Sequence, residues 1–167
     1  MIYLIGISHS FQIRTFIPIS EGGLLDFDVP RACRFEKYLD KLVAQMKPQA
    51  ICEECSETKL LGVLEIDDRA YSIAKKISVH HNIKHVFCDP DRRERAVLYA
   101  ANGTTEAEDE NNGYPIREGE WLRRITPLLP DTLILFICGA NHVATFKQML
   151  KAQHLTVKVV FQDLEID

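Results

Sequence analysis

The chain has 167 residues, of which 46% are hydrophobic and 26% charged, the balance of an ordinary globular protein. That length suits one well-buried domain and is short for two, so we expect a single domain over residues 1–167. Lys and Arg number 20 against 24 Asp and Glu, which gives a net charge of −4. Because nucleic-acid binding is usually driven by clustered cationic charge, this balance disfavours a nucleic-acid partner.

The hydrophobic run at the N-terminus predicts a strand. It is only a few residues long, with no basic region before it and no small-residue cleavage pattern after it, so it does not have the pattern of a signal peptide. No stretch approaches the roughly 20 apolar residues that cross a bilayer. We therefore expect a cytoplasmic protein with no membrane partner.

The cysteines form an odd set of five, which disfavours a disulfide framework. They are Cys33, Cys52, Cys55, Cys88 and Cys138. The spacing of Cys52 and Cys55 is that of a CxxC motif. A structural zinc site normally needs a second such ligand pair, which is missing, so the motif is a weak indication of zinc or redox chemistry.

Strand and helix patterns alternate along the chain. Near-continuous apolar runs, typical of strands buried on both faces, occupy residues 2–7, 49–54, 84–88, 132–138 and 156–161. Helical apolar spacing occupies residues 29–46, about 65–81, the stretch around Trp121, and the stretch that starts at Val143. This alternation predicts an α/β fold in which a mainly parallel β-sheet of about five strands is flanked by helices.

Two segments interrupt the alternation. Residues 10–28 form a long connection after the first strand. Residues 102–113, NGTTEAEDENNG, are acidic and polar without apolar periodicity, so we expect a mobile acidic loop at the surface. A lid beside a site is the alternative, because long loops in compact domains often carry function.

The first and fourth of the long strands end in the same Gly-x-x-His motif, at Gly6 to His9 and at Gly139 to His142. Given the content of Gly and His, only roughly 0.3 such matches are expected by chance. A glycine at the end of a buried strand permits a sharp exit or a positive φ, and lets the backbone approach a ligand closely. The motifs predict that His9 and His142 face one site, with Asn141 as the cap of the following helix. The alternative is that both histidines are structural.

The strand ends supply further candidates, because ligands of open α/β sheets bind at the carboxyl ends of the strands. Glu53 and Glu54 end the second strand, and Asp89 follows the third, with Arg92 close behind. Alternation places Glu54 on one face and Glu53 on the other, so Glu54 is the first choice and Glu53 the reserve. We expect Glu53, Asp89, Arg92 and Asn141 to contact substrate. The remaining histidines, His80, His81, His85 and His154, are expected to be solvated.

In combination these segments resemble the TraB/Tiki superfamily, which includes the TraB and GumN proteins and, more distantly, the erythromycin esterases. The similar stretches are GISH (6–9), PQAICEE (48–54), DPDRRER (89–95), REGEWLRRI (117–125) and ILFICGANHV (134–143). The resemblance again selects Glu54, and it makes Arg117 the first candidate for the family's arginine, with Arg92 second. The chain is shorter than typical members, and Asn141 stands where relatives often have a small residue.

The resemblance implies hydrolysis of a peptide or ester bond by His9, Glu54, Arg117 and His142. In one version His9, Glu54 and His142 hold a divalent metal, Mn, Co or Zn, which lowers the pKa of a bound water. In the other, one histidine is the general base and the glutamate orients it. Arg117 would stabilise the oxyanion or fix a substrate carboxylate in both.

Two other interpretations stay open. The same pocket would serve a binding, regulatory or immunity-type module that takes a peptide, a metal, a haem-like ligand or a protein partner without turnover. Phosphoryl chemistry is suggested by DPDRRER, although a Gly-rich phosphate loop is missing. The expected partners are a small-molecule or peptide substrate and, through an uncovered edge strand at 156–161, a second copy in a homodimer.

Overall fold

A computed structural model describes residues 1–8, 12–15, 29–65, 67–129 and 132–161. Within them the strands are β1 (Ile2–Ile7), β2 (Ile13–Arg14), β3 (Ala50–Glu53), β4 (Tyr71–Ser72), β5 (Lys84–Phe87), β6 (Ile134–Gly139) and β7 (Val157–Phe161). Five of them form a parallel sheet in the order β5-β3-β6-β1-β7, while β2 and β4 pair separately as an antiparallel ribbon. The predicted five-stranded parallel α/β fold is confirmed.

The helices in the described ranges are α1 (Val29–Met46), α2 (Glu57–Leu64), α3 (Ile73–His80), α4 (Arg92–Ala101), α5 (Glu106–Asn111), α6 (Pro115–Ile125) and α7 (Val143–Ala152). Short 3₁₀ turns follow α6 at Thr126–Leu128 and precede α7 at Ala140–His142. None of the helices in the part of the chain that the structure describes has the length and apolarity to cross a membrane.

The two faces of the sheet are covered by different helices. Trp121 of α6 and Phe146 of α7 pack against Phe136 on one face. Helices α1 and α3 cover the other face, with Phe35 and Ile77 in its core. Cys52 of β3 lies in the first core and Ile51 in the second, as strand alternation requires. All five cysteines are free thiols.

The predicted helix at about 65–81 is wrong in its first half. The chain turns after α2, forms β4, and starts α3 only at Ile73, where the Ser72 hydroxyl accepts a hydrogen bond from the Lys75 N–H. Ser56 caps α2 in the same way, and that helix was not predicted. Serine side chains satisfy the first free N–H groups of a helix, and this capping sets both helix starts.

The acidic segment 102–113, predicted as a loop, contains helix α5 instead. Thr105 and Glu108 form a capping box at its start, and the Thr-x-x-Glu spacing was the sequence signal for it. Asp109 is buried, and its carboxylate accepts the backbone N–H groups of Ile116 and Arg117 at 2.8 and 3.2 Å. This acidic helix therefore anchors the first turn of α6.

We expect Asp109→Ala to lower the free energy of unfolding by about 1–3 kcal/mol, because it leaves two partly buried N–H groups without their charged acceptor. Urea denaturation of the two proteins measures the change. Asp68→Ala, at an exposed position, is the matched control and should change the free energy by less than about 0.5 kcal/mol. Equal effects of the two substitutions would contradict the anchoring role of Asp109.

Candidate active site

Four of the predicted site residues meet at the carboxyl edge of the sheet. Glu54 follows β3, Asp89 follows β5 and His142 follows β6, so the parallel strands deliver all three to the same edge. The backbone of Glu54 continues the ladder, since its N–H donates to the carbonyl of Ile137 at 2.8 Å. Arg117 reaches this edge from α6.

Arg117 links two of these carboxylates. Its Nε and Nη2 donate to the two oxygens of Asp89 at 2.7 and 2.9 Å, a bidentate pair. Nη2 also donates to Oε1 of Glu54 at 2.8 Å. Burial alone would raise the pKa of Asp89, but Arg117, Arg95 and the Trp121 indole N–H together outweigh burial and lower it. Asp89 is therefore the permanent counter-ion of the guanidinium.

Glu54 is in a different electrostatic state from Asp89. Its side chain is fully buried, and its Oε2 accepts the Gly139 N–H at 2.6 Å. Burial raises the pKa of Glu54 to about 7, although Arg117 and the Gly139 N–H pull in the other direction. Gly139 has φ −59°, so the glycine of the second motif provides close backbone approach rather than a positive φ.

His142 bridges two buried carboxyl groups. Its Nδ1 lies 2.9 Å from Oε1 of Glu118, and its Nε2 lies 3.3 Å from Oε1 of Glu54. The imidazole packs between Tyr114 and Trp121, with ring centroids 4.1 and 4.8 Å away. Only 1% of the side chain is exposed, so both of its nitrogens are shielded from solvent.

Glu118 completes the arrangement. It accepts a hydrogen bond from the Thr145 hydroxyl at 2.5 Å, and burial raises its pKa to about 8. Sequence reasoning missed Glu118, although it lies on the same buried stripe of α6 as Trp121 and Ile125. A carboxyl residue at the i, i+3, i+7 spacing of an apolar stripe was the available signal.

We call Glu54, Asp89, Arg117, Glu118 and His142 the edge network. It contains three carboxyl groups and one guanidinium, all largely buried. With every carboxyl ionised and the imidazole neutral, the network would hold a net charge of −2 away from water, which is costly. Protons therefore stay in the network near neutral pH, in agreement with the raised pKa values of Glu54 and Glu118.

Two predicted site residues, Glu53 and Arg92, do not join the edge network. Glu53 faces the opposite side of the sheet, where its carboxylate accepts from Ser72 and contacts Nε2 of His85 at 2.7 Å. Arg92 is exposed at the start of α4, and the arginine of that helix that reaches Asp89 is Arg95, one turn later, at 3.2 Å.

Asn141 was predicted to cap the following helix, and this prediction is wrong. Residues Ala140–His142 form a 3₁₀ turn instead, and α7 starts without a side-chain cap. The Asn141 amide donates to the Tyr114 hydroxyl at 3.3 Å. His9, the histidine of the first motif, lies outside the described residues.

Two of the histidines that were predicted to be solvated are paired. His81 contacts Asp40 at 2.8 Å, and His85 contacts Glu53 at 2.7 Å. His80 and His154 are exposed, as predicted. The pairings join elements that are far apart in the chain, so local sequence did not reveal them.

The donor set at Glu54 and His142 does not by itself fit a divalent metal. Oε1 of Glu54 already accepts from Arg117, and a second cation there would be repelled by the guanidinium. In the described part of the chain, three His, Asp, Glu or Cys ligand atoms come within 4.8 Å of one another only at Asp40, His80 and His81. The predicted metal site of His9, Glu54 and His142 depends on His9 and stays a prediction.

Comparison of the chain with protein-family models, with curated proteins and with solved structures gave no significant match. The resemblance to the TraB/Tiki superfamily therefore rests on the sequence motifs and stays a prediction. A function for the protein therefore has to be inferred from the chemistry of the edge network.

The raised carboxyl pKa values predict how stability depends on pH. A glutamate titrates near pH 4.5 in the unfolded chain but at about 7 and about 8 in folded Glu54 and Glu118. The folded state thus binds more protons across this window, so the free energy of unfolding should fall as pH rises from 4.5 to about 8. Urea denaturation at several pH values measures the slope.

Glu118→Gln removes one of the two groups and should flatten that slope, whereas Glu65→Gln, an exposed control, should leave it unchanged. A slope that is identical in wild type and Glu118→Gln would show that Glu118 titrates normally in the folded protein.

Proposed function

We propose that the protein is a hydrolase of peptide or ester bonds that activates water at the edge network. The observation that carries this proposal is the placement of His142 between two buried carboxyl groups at the carboxyl edge of a parallel sheet. Groups that are poised to exchange protons near neutral pH are concentrated at functional sites.

The Glu54–His142 pair would be the proton acceptor. Hydrolysis requires a group that takes a proton from water and returns it to the leaving group, which works best when the pKa of that group is near the ambient pH. The pKa of Glu54, about 7, meets this condition. Because Glu54 and His142 are in contact, the proton belongs to the pair rather than to either residue.

Glu118 would orient the imidazole. Its contact with Nδ1 fixes the orientation of the ring, so that Nε2 stays directed at Glu54. Thr145 holds the carboxyl group from the other side. Glu118 therefore acts through His142 and is a positioning residue.

Arg117 would stabilise negative charge on the substrate. Its Nε and Nη2 are taken by Asp89 and Glu54, but Nη1 makes no hydrogen bond to any residue in the described ranges. The side chain keeps 14% of its surface exposed. A carbonyl oxygen that binds at Nη1 would receive a preorganised donor as it becomes an oxyanion.

The guanidinium supplies the positive charge that a metal would otherwise supply, so we favour the metal-free version of the reaction. In the other version His9, Glu54 and His142 would hold a divalent metal, which would supply Lewis-acid chemistry at the same edge.

A non-catalytic binding or regulatory module is the second candidate. One observation favours it: the carboxylates of Asp89 and Glu54 are already engaged by protein donors, and Glu54 and His142 are almost wholly buried. Such satisfied networks also occur as structural elements. A binding module would form a stoichiometric complex without turnover.

We expect wild-type protein to cleave members of a panel of esters and peptides, and Glu54→Gln and His142→Asn to lower kcat/KM by about 10²-fold or more. Activity should decrease as pH falls below about 7, where Glu54 retains its proton. Initial rates against substrate concentration and pH measure both effects.

His154→Asn is the matched control, since that histidine is exposed and follows the opposite end of α7 from His142; it should keep wild-type rates. Melting curves establish that each variant is folded. Wild-type kcat/KM in folded Glu54→Gln and His142→Asn would overturn the proposed mechanism, and a stable complex without turnover would favour the binding module.

A further inference from the structure

We propose that Asp40, His80 and His81 form a binding site for Zn²⁺ or a similar divalent metal ion, separate from the edge network. Their ligand atoms, one from each residue, all lie within 4.8 Å of one another. Nothing in the proposed hydrolytic reaction uses these residues, so this site stands independently of it.

The end of helix α3 brings the two histidines together. His80 is its last residue, and His81 caps it with φ −91° and ψ 3°, which departs from helical geometry. Neighbouring residues within a helix point about 100° apart, yet both rings reach the same side of the helix end here. The ring centroids are 4.9 Å apart, with the ring planes at 86°.

Helix α1 supplies the carboxylate. Oδ1 of Asp40 lies 2.8 Å from Nε2 of His81, so two of the three ligand atoms are already paired. The helices are held in place beneath this pair, because Leu39 of α1 and Ile77 of α3 are buried in the same core cluster. The donors therefore come from a packed scaffold rather than from loops.

The spacing suits a small ion. Zinc bonds of about 2.0–2.2 Å to nitrogen and oxygen place tetrahedral ligand atoms roughly 3.4 Å apart. Side-chain rotation would close the present spacing to that value, since 47% of the Asp40 side chain is exposed and His80 is exposed. An ion would replace the Asp40–His81 hydrogen bond with two metal–ligand bonds.

The donor types select the metal. Two imidazoles and one carboxylate favour Zn²⁺, Co²⁺, Ni²⁺ or Cu²⁺ over Mg²⁺ and Ca²⁺, which prefer all-oxygen sites. Three protein ligands leave a coordination position open, the pattern of zinc sites that bind water or a substrate group.

An open position would face a cavity. Asp40 and His80 line a cavity of about 420 Å³, together with Cys33, Tyr71 and Lys76. Cys33 is seven residues before Asp40 on α1, about 10 Å along the helix axis, so its thiol is too distant to bind the same ion. The site is therefore assigned as nitrogen and oxygen only, with room for an exogenous ligand.

Calorimetric titration of Zn²⁺ into chelator-stripped full-length protein tests the site. We expect wild type to bind, and His80→Ala, His81→Ala and Asp40→Asn each to weaken binding by about tenfold or more. His154→Ala, the matched exposed histidine, should bind like wild type. Circular dichroism and melting curves establish that the variants are folded, which is expected because His80 is exposed and the other two side chains are partly exposed.

His142→Asn separates this site from the edge network and should retain the binding. Three results would each overturn the proposal. Wild type does not bind zinc, His80→Ala and His81→Ala bind it like wild type, or folded His142→Asn loses the binding.

Cobalt spectroscopy tests the ligand types. Co²⁺ bound at this site should show no thiolate charge-transfer band, because only nitrogen and oxygen ligate it. Appearance of such a band, and its loss in Cys33→Ser, would overturn the three-ligand assignment.

Discussion

A buried guanidinium has to find matching negative charge inside the protein, and the site is arranged around this requirement. Arg117 reaches two carboxylates, Asp89 and Glu54, which come from the ends of neighbouring strands. A buried ion pair gives little net stability, but removal of one partner leaves an uncompensated charge and costs several kcal/mol by the usual order of magnitude. The pair therefore fixes how α6 sits on the sheet. Asp109, from the acidic helix before it, fixes the same turn of α6 through its backbone.

The edge network has more carboxyl groups than cations, and this excess also determines which of its groups are protonated. Asp89 neutralises Arg117, and Glu54 and Glu118 are then left around one imidazole in a dry environment. Their charged forms are disfavoured by burial, so they hold protons at a pH where exposed glutamates are ionised. This arrangement costs stability near neutral pH, and proteins commonly tolerate such costs where chemistry is performed. The same feature that weakens the fold would support the acid–base catalysis that we propose.

Much of the fold could be predicted from sequence because buried parallel strands are continuous apolar runs, and each of the five was located to within two residues at either end. The carboxyl-edge rule then placed Asp89 and His142 correctly, and alternation along β3 separated Glu54 from Glu53. The resemblance supplied Arg117, which lies on a helix and not at a strand end, so the edge rule could not have found it.

The contacts that could not be predicted from sequence depend on where helices start and on packing between elements that are distant in the chain. Arg95, rather than Arg92, reaches Asp89 because Asp91 and Glu94 set the start of α4 through a capping box. The pairs of His81 with Asp40 and of His85 with Glu53 join elements more than 30 residues apart, so no local pattern encodes them.

The proposed chemistry requires that buried carboxyl groups of the edge network exchange protons near neutral pH. NMR titration of protein labelled with ¹³C at the glutamate carboxyl carbons measures this directly, with Glu54→Gln and Glu118→Gln to assign the signals. Two glutamate resonances should titrate far above the rest, around pH 7 to 8, and each variant should remove one and shift the other. If every glutamate instead titrates in the ordinary range near pH 4.3, the network holds no proton at neutral pH and the proposed acid–base chemistry is wrong.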